Sequence, residues 1–528
     1  MRVDSGSGGD ADAERVKANT WFRRVPRTAA FALLAAFALS VLVRLPQLDR
    51  PLSKNHEFCT ALVLIVQEVW RQDGFLRHHG CPAVTWPNPC DRGVTGLHYD
   101  LTEADGIYYY LSHLPLAYWA PAAVFALTGT APTALALQLV NLLLHALTAW
   151  LLAAFLARMQ APDPRRWTLG VVAATLYLLM PAPLWYHGNV YMSDMAAQLP
   201  WAWCLHAFAG LWRAPRPTWR NIVPLLAATA TLAATEWVAA FVVPVLAGLL
   251  LRRWSKEGEP AWGRAALGLV AVAAVVTGLC LGLYAAVVGA DDLWAYYLHR
   301  YAERGVMPGE ASAGVGDGLA HMGRNLLTAW GPLLLLLAGT VLLARPRWRP
   351  LRTVLVSTLV PAALYLLVFT RYAIHEFALL KPGFALCTAA AWALVAFARE
   401  RPARLLWPLA ATVLLGVLAY TRLNRPGDGR STGAPYALAW EQGRVIAHLA
   451  RPDEVVLLQG LPSEPQLQWY ARRNTRPVAD EAEALQVLHE LGATRALLVQ
   501  ATAHGLTARR LSRPGSEAEV VAQGKGDR

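Results

Sequence analysis

Long apolar segments, separated by short stretches rich in arginine and proline, recur along the chain as far as residue 420. Most of them approach the roughly 20 residues that a helix needs to cross a bilayer. Of the 528 residues, 55% are hydrophobic and 16% are charged, whereas soluble chains carry about 25% charged residues. The sequence therefore predicts an all-α multi-pass membrane protein. The segments lie at 28–43, 106–127, 133–157, 167–180, 195–211, 222–234, 238–251, 265–288, 326–344, 354–370, 378–397 and 405–420.

The formal net charge of +12 could indicate nucleic-acid binding, but the basic residues form small groups between the apolar segments. That arrangement is typical of loops held on the cytoplasmic side of a membrane. We therefore expect no nucleic-acid partner, and we place the N-terminus on the cytoplasmic side of a bacterial inner membrane. The basic groups assigned to that side lie within residues 158–166, 213–220, 252–256, 345–352 and 399–404.

This orientation requires that segment 106–127 does not cross, so we expect an interfacial or re-entrant helix on the outer side. About eleven spans and an external C-terminus then follow. Residues 222–251 would have to cross twice, with Glu236 at the outer tip of a short hairpin. A single tilted span is the alternative, and it would invert everything downstream.

Composition divides the chain into three parts. Residues 1–27 form a polar cytoplasmic tail, and residues 28–420 form a transmembrane domain whose first periplasmic loop covers 45–132. A cleaved signal peptide is the alternative for the first span, which contains a loose match to a cleavage site. In residues 421–528, short apolar runs alternate with helix-like stretches, which predicts a small periplasmic α/β domain. We expect this domain to support the membrane part without being catalytic.

Cys81 and Cys90 lie close together in the turn-rich first outer loop. An oxidising compartment permits a disulfide there, and the close spacing favours one. A zinc site that includes His78 and His79 is the alternative, although no second cysteine pair accompanies it.

Ionisable residues near the outer ends of spans are candidates for chemistry, because burying them is costly without a purpose or a partner. Carboxylates come mostly from the early outer loops and cations mostly from the late ones. A carboxylate could take the proton of an acceptor hydroxyl or amine, while cations stabilise a departing phosphate. Simpler roles stay open: Glu57 could cap the helix that follows it, Asp194 could start one, and Arg371 could anchor at the headgroups.

Three short motifs punctuate this part of the chain. His56-Glu57 follows the first span and precedes an amphipathic stretch, and Ser112-His113-Leu114-Pro115-Leu116 lies among aromatic residues. Met192-Ser193-Asp194 stands at the external start of a later span. In their order and in hydropathy over roughly residues 28–400, they resemble the GT-C superfamily of polyprenyl-phosphate-dependent glycosyltransferases. The protein O-mannosyltransferase and aminoarabinose transferase branch is the most similar.

The resemblance implies a GT-C-like fold, a polyprenyl-phosphate-linked sugar as donor, inversion at the sugar carbon, and transfer on the periplasmic side. Two departures from the family pattern stand out. Where the family commonly has two carboxylates, His56 precedes the single Glu57, which leaves the need for a divalent metal open. Leu114 stands where the second motif has its first proline.

We therefore expect a glycosyltransferase in which Glu57 is the general base, assisted by Asp194. No metal-ligand set is predicted, and the acceptor is a protein, a lipid or a polysaccharide. A transporter or a glycolipid flippase is the alternative, although it would require paired interrupted helices, and the sequence shows no internal repeat. The predicted substrate-binding residues are His56, His113, Arg300, Arg304, Arg371, His375 and Tyr109.

Overall fold

The computed structural model describes residues 25–52, 55–97, 101–160, 166–304, 315–344, 348–398, 403–423, 434–502, 505–513 and 520–525. Helices dominate, and short strands occur in two places. The helices are α1 (Arg27–Arg44), α2 (Phe58–Asp73), α3 (Leu116–Thr128), α4 (Ala134–Met159), α5 (Arg166–Leu179), α6 (Pro181–Asn189), α7 (Ser193–Ala196), α8 (Gln198–Arg213), α9 (Trp219–Thr235), α10 (Ala239–Glu257), α11 (Pro260–Val288), α12 (Ala290–Arg304), α13 (Val315–Ala344), α14 (Arg352–Val368), α15 (Gly383–Phe397), α16 (Ala403–Leu423), α17 (Ala434–Leu449), α18 (Pro465–Ala471) and α19 (Glu481–Glu490). The strands are β1 (Thr102–Ala104), β2 (Ile107–Tyr109), β3 (Val455–Gln459), β4 (Thr475–Val478), β5 (Arg495–Thr502), β6 (Gly505–Ser512) and β7 (Val520–Lys525).

Six helices among the described residues are long and apolar enough to cross a bilayer. A seventh span results if α5 and α6, which meet at an angle of 62°, are counted as one. The prediction of a multi-pass helical protein is confirmed, whereas the number of about eleven spans stays a prediction. The two numbers differ because α8, α9 and α15 have 16, 17 and 15 residues, and α10 ends in charged residues. The six helices are Arg27–Gln47, Ala134–Met159, Pro260–Val288, Gly318–Leu343, Arg349–Val368 and Ala403–Arg422.

Segment 106–127, expected to be one interfacial helix, is divided into a strand, a loop and a short helix. Strands β1 and β2 pair antiparallel around Asp105-Gly106, whose φ angles of 53° and 77° form a tight turn that glycine favours. Pro115 then precedes α3, which has only 13 residues. The prediction of one continuous helix was therefore wrong for residues 106–115, because a run of tyrosines is as compatible with a strand as with a helix.

Residues 222–251 lie in two separate helices, α9 and α10. The helical pattern breaks at Glu236, whose backbone is extended, and resumes at Ala239. Pro224 and Pro244 lie inside the helices and not at the break. Glu236 is buried at the junction, so its carboxylate faces the protein interior.

The second group of strands forms a five-stranded sheet in the order β4-β3-β5-β6-β7. Strand β3 is parallel to β4 and β5, and β6 and β7 run antiparallel to their neighbours. Because alternate residues of a strand point to opposite faces, Val455 and Leu457 pack beside α19. Val456 and Leu458 pack beside α17 and α18 on the other face. This is the α/β arrangement that the sequence predicted after residue 421.

The first outer loop is docked onto this sheet region. Val94 is fully buried in the hydrophobic cluster that contains β3 and α19. The Asp91 carboxylate accepts a hydrogen bond from Arg473 Nε at 3.0 Å, and both side chains are buried. Asn474 Oδ1 accepts from the Trp86 backbone N–H at 3.0 Å, and Asn474 Nδ2 donates to the Val94 carbonyl at 2.7 Å. The C-terminal sheet region is therefore joined to the membrane part through buried polar contacts.

The predicted Cys81–Cys90 disulfide is absent, since both cysteines are free thiols. Cys81 belongs to the main hydrophobic core, where its Sγ lies 4.0 Å from the Leu283 carbonyl. Cys90 packs instead against the cluster of the C-terminal sheet region. The prediction was wrong because the two cysteines, although close in the chain, pack into different hydrophobic clusters of the fold.

The C-terminal end of α1 is held by a buried arginine. Arg44 is fully buried, and its guanidinium donates to the carbonyls of Leu184 and Pro183 at 2.7 and 2.9 Å. It also lies 3.0 Å from His145 Nδ1, and the His145 ring stacks on His187 with ring centroids 4.5 Å apart. No carboxylate among the described residues pairs with Arg44, so carbonyl and imidazole acceptors satisfy its charge. The network joins α1, α4 and α6.

Replacing Arg44 with methionine should destabilise the membrane part, because the carbonyls of α6 would lose their buried donor. We expect a loss of about 3 kcal/mol in the free energy of unfolding, visible as a lower melting temperature in detergent. Arg27→Met, at the exposed start of the same helix, is the matched control. Equal melting temperatures for the two variants would contradict this role.

Candidate active site

Asp194 lies in the short helix α7, between α6 and α8, and is completely buried. Its carboxylate pairs with Lys381 and accepts a hydrogen bond from the Tyr372 hydroxyl at 2.9 Å. Burial on its own would raise the pKa of Asp194, but the charge of Lys381 and the hydrogen bonds from Lys381 and Tyr372 lower it below the usual range of an aspartate. Asp194 is therefore held as a carboxylate in a site that excludes water.

A second buried carboxylate, Glu236, approaches the same lysine. The Lys381 ammonium lies 4.0 Å from the centre of the Tyr365 ring, and the Tyr365 hydroxyl donates to Glu236 at 3.2 Å. Glu236 also accepts from the Val238 backbone N–H at 2.7 Å. Burial raises the pKa of Glu236, Lys381 lowers it, Asp194 raises it further, and the net shift is upward. One carboxyl group with a lowered pKa thus lies near one with a raised pKa, an arrangement suited to acid–base work.

Glu57 is buried just before α2, and its side chain makes no capping hydrogen bond to that helix. Both of its carboxylate oxygens accept from the Arg50 guanidinium, at 2.5 and 2.9 Å. Arg50 also donates to the Gln47 side chain at 2.7 Å. The forked pair fixes the orientation of Glu57 at the start of α2.

A row of rings connects Glu57 with the Asp194 cluster. The backbone of His56 is left-handed, with φ of 61°, and its ring lies edge-on to His375 with centroids 5.5 Å apart. His375 stacks on Phe377 at 5.1 Å and meets the edge of Tyr372 at 5.5 Å. Because Tyr372 donates to Asp194, the two predicted catalytic carboxylates belong to one continuous group of contacts. His56 and His375, both predicted to bind substrate, lie between them.

His113 contacts Ser193, the residue that precedes Asp194. Its Nδ1 is 2.7 Å from Ser193 Oγ, and its carbonyl accepts from the Tyr284 hydroxyl at 2.7 Å. Burial lowers the pKa of His113 to about 4, against a smaller opposing effect of Asp194. The imidazole is therefore neutral at physiological pH and acts as a hydrogen-bonding group.

Tyr109, also predicted to bind substrate, lies elsewhere. Its ring faces His78 with centroids 6.3 Å apart, and its backbone pairs with Thr102 in the hairpin. The neighbouring Tyr110 lies beside His113 instead, with ring centroids 5.8 Å apart. Successive residues of a strand point in opposite directions, which explains why one tyrosine reaches the site and the other does not.

The predicted arginines come from α12 and from the segment after α14. Arg304 lies over the Tyr372 ring at 4.9 Å, and Arg371 donates to the Ala302 carbonyl at 3.4 Å. Arg300 pairs with Glu303 at 2.7 Å, and its charge lowers the pKa of both His113 and His375. Helix α12 and the segment after α14 therefore bring cations from two parts of the chain to the same place.

Some members of the site were not predicted. Arg50, Tyr372 and Lys381 received no role from the sequence, and Glu236 was placed at the outer tip of a hairpin without one. A lysine at the start of an apolar helix was the available signal for Lys381, since a buried ammonium requires a partner.

Among the described residues, no group of three or more His, Cys, Asp or Glu side chains could hold a metal ion.

No protein-family model and no curated protein matches the chain. Solved structures do. ArnT from Cupriavidus metallidurans bound to undecaprenyl phosphate superposes with a TM-score of 0.58 and 17% identity, over 89% of this chain and 92% of ArnT. The Archaeoglobus fulgidus oligosaccharyltransferase tethered to an acceptor peptide gives 0.55 and 10%, over 90% of this chain and 69% of that protein.

The chain has the GT-C glycosyltransferase fold. The resemblance seen in the three sequence motifs is thereby confirmed at the level of the fold. At these identities the likeness concerns architecture, so the roles of individual residues rest on the geometry described above.

The low pKa of His113 gives a pH dependence with a definite sign. In the unfolded chain the imidazole takes up a proton near its ordinary pKa of 6.5, whereas in the folded protein it does so only near 4. The folded state should therefore lose stability as the pH falls from 6.5 towards 4, by about 2 kcal/mol at pH 5. His113→Gln, which can still bond Ser193, should lose this part of the pH dependence.

The measurement is the melting temperature in detergent between pH 7 and pH 5. His299→Gln is the control, because His299 is exposed. If His113→Gln and the unmodified protein fall in parallel, the buried neutral imidazole is not the source.

Proposed function

We propose that this protein is an integral membrane glycosyltransferase of a bacterial inner membrane. It would move a sugar from a polyprenyl-phosphate donor to an acceptor on the periplasmic side, with inversion at the sugar carbon. The N-terminus would be cytoplasmic, and the C-terminal part from about residue 421 periplasmic and non-catalytic. The acceptor class is a protein, a lipid or a polysaccharide.

One observation carries the proposal: within a GT-C fold, acids from the first half of the chain and cations from the second half meet around Tyr372. ArnT was solved with undecaprenyl phosphate, and the archaeal oligosaccharyltransferase with dolichol phosphate, so proteins of this fold accept lipid phosphates. A polyprenyl phosphate that leaves as an anion is stabilised by cations nearby, and an attacking hydroxyl or amine requires a base.

In the reaction we propose, the acceptor oxygen or nitrogen forms a bond to the sugar carbon while Glu57 takes its proton. The bond from that carbon to the phosphate oxygen breaks, and polyprenyl phosphate leaves with the electron pair. Asp194 assists from the buried cluster, held in place by Lys381. Arg371, with His375, Arg300 and Arg304, holds the phosphate, and His56 and His113 contact the sugar.

The first test is Glu57→Gln, which keeps the shape of the side chain and removes its basicity. The full chain is reconstituted in vesicles with bacterial membrane extract as the acceptor source and a panel of synthetic polyprenyl-phosphate sugars. Release of free polyprenyl phosphate, followed by mass spectrometry, should fall at least about 100-fold in the variant. Glu103→Gln, an exposed carboxylate in the same loop, should behave as the unmodified protein.

Monodispersity and melting temperature of Glu57→Gln show whether it is folded. Near-normal release by a folded Glu57→Gln would remove the base assignment. Movement of intact donor across the vesicle membrane without any release would favour the transporter alternative over transfer.

The second test concerns the phosphate. Arg371→Gln should raise KM for the donor about tenfold or more with a smaller change in kcat, because a ground-state contact to the phosphate is lost. Arg324→Gln, an exposed arginine of α13, is the matched control. Unchanged KM in Arg371→Gln would argue against a phosphate contact and for a headgroup anchor.

A further inference from the structure

A cavity of about 550 Å³ lies at the ends of α8, α10 and α14, and no predicted site residue lines it. Basic side chains dominate its wall, with one acid and one tryptophan. The lining residues are Trp212, Arg213, Leu249, Arg252, Arg253, Lys256, Glu257, Arg352, Thr353 and Val356.

Helices α8, α10 and α14 each have one end at this cavity and the other end near the Asp194 cluster. Helix α8 begins four residues after Asp194 and ends at Arg213, and α10 begins three residues after Glu236 and ends at Glu257. Helix α14 begins at Arg352 and carries Tyr365 in its last turn. Helices of 16, 19 and 17 residues are about 24–29 Å long at 1.5 Å per residue. That length approaches the thickness of the hydrocarbon core of a bilayer.

The cavity therefore opens at the membrane face opposite the proposed active site. Exposed tryptophans near the same helix ends support placing the cavity at a membrane face. Trp254 is 44% exposed and Trp219 is 71% exposed, and tryptophan is enriched where a membrane meets water. A ligand in the cavity could therefore be reached from the lipid headgroups or from the aqueous side.

Among the described residues of the cavity wall, five are basic and one, Glu257, is acidic. Glu257 already accepts from Arg253 Nε at 2.6 Å and from Trp262 Nε1 at 3.0 Å. Within the described part of the chain, Arg252, Lys256 and Arg352 make no hydrogen bond and no ion pair through their side chains. Like charges that line one cavity repel each other, and an anion bound among them would relieve that repulsion.

The position of Arg352 also favours an anion in the cavity. It is the first residue of α14, and the first turn of that helix contains no acid. The N-terminus of a helix carries partial positive charge and favours anions, so an arginine there is unfavourable by itself. The positive-inside rule accounts for basic residues in loops, but it does not require them to line a cavity around a helix N-terminus.

We propose that this cavity binds a phosphate group, either that of an anionic phospholipid headgroup or that of a small soluble phosphate. Guanidinium forks match phosphate oxygens in geometry, and two or three of them with a lysine neutralise such a group. Basic pockets between spans on the inner side are suited to phospholipid headgroups. The site is distinct from the donor site, which lies one membrane thickness away.

The experiment uses the purified, delipidated full chain in detergent. Binding of dioleoylphosphatidylglycerol and of dioleoylphosphatidylcholine is measured by native mass spectrometry, and binding of glycerol 3-phosphate and inorganic phosphate by calorimetry. Arg252→Gln and Arg352→Gln should each weaken binding of the anionic ligand roughly five- to tenfold. Arg264→Gln, an exposed arginine of α11 outside the cavity wall, should leave it unchanged.

Selective binding of phosphatidylglycerol over phosphatidylcholine, lost in Arg252→Gln and Arg352→Gln, supports the lipid source. Binding of glycerol 3-phosphate or inorganic phosphate with the same dependence on these arginines supports the soluble source. No binding of any anion, or equal binding by all three variants, overturns the proposal. So does binding that Arg371→Gln removes and Arg252→Gln does not, because the anion then occupies the outer site.

Discussion

The ion pair between Asp194 and Lys381 holds together parts of the chain that are 187 residues apart. Both side chains are almost completely inaccessible, so each charge depends on the other and on Tyr372 for its stability. Removing one member of a buried pair leaves the other uncompensated, at a cost of about 3–5 kcal/mol. This dependence keeps α7 against the segment before α15, and the remaining groups of the site are arranged around that junction.

Each of the two predicted catalytic carboxylates has its own cation before any substrate arrives. Glu57 has Arg50, and Asp194 has Lys381, while Glu236 reaches the same lysine only through Tyr365. A site organised in this way does not need to reorient charged groups during the reaction, which is how a protein stabilises developing charge better than water does. The row of rings from His56 to Tyr372 keeps the two ion pairs at a fixed separation.

Sequence reasoning succeeded where the relevant property is local. Apolar length predicted the helical membrane architecture, and the order of the three motifs predicted the GT-C fold. It failed where contacts between distant residues decide the outcome. Cys81 and Cys90 are close in the chain but pack into different clusters, and Tyr109 faces His78 whereas Tyr110 lies beside His113. No local pattern could have paired Lys381 with Asp194.

The burial of Val94 within the C-terminal sheet region has a consequence for how the protein is made. That hydrophobic cluster is filled by a residue that leaves the ribosome more than 350 positions before β3. The early loop must therefore wait, with an apolar side chain uncovered, until the last part of the chain has been synthesised. Conversely, a C-terminal part without the first outer loop would have a cavity at the position of Val94. Neither the loop nor the C-terminal part completes this hydrophobic cluster by itself.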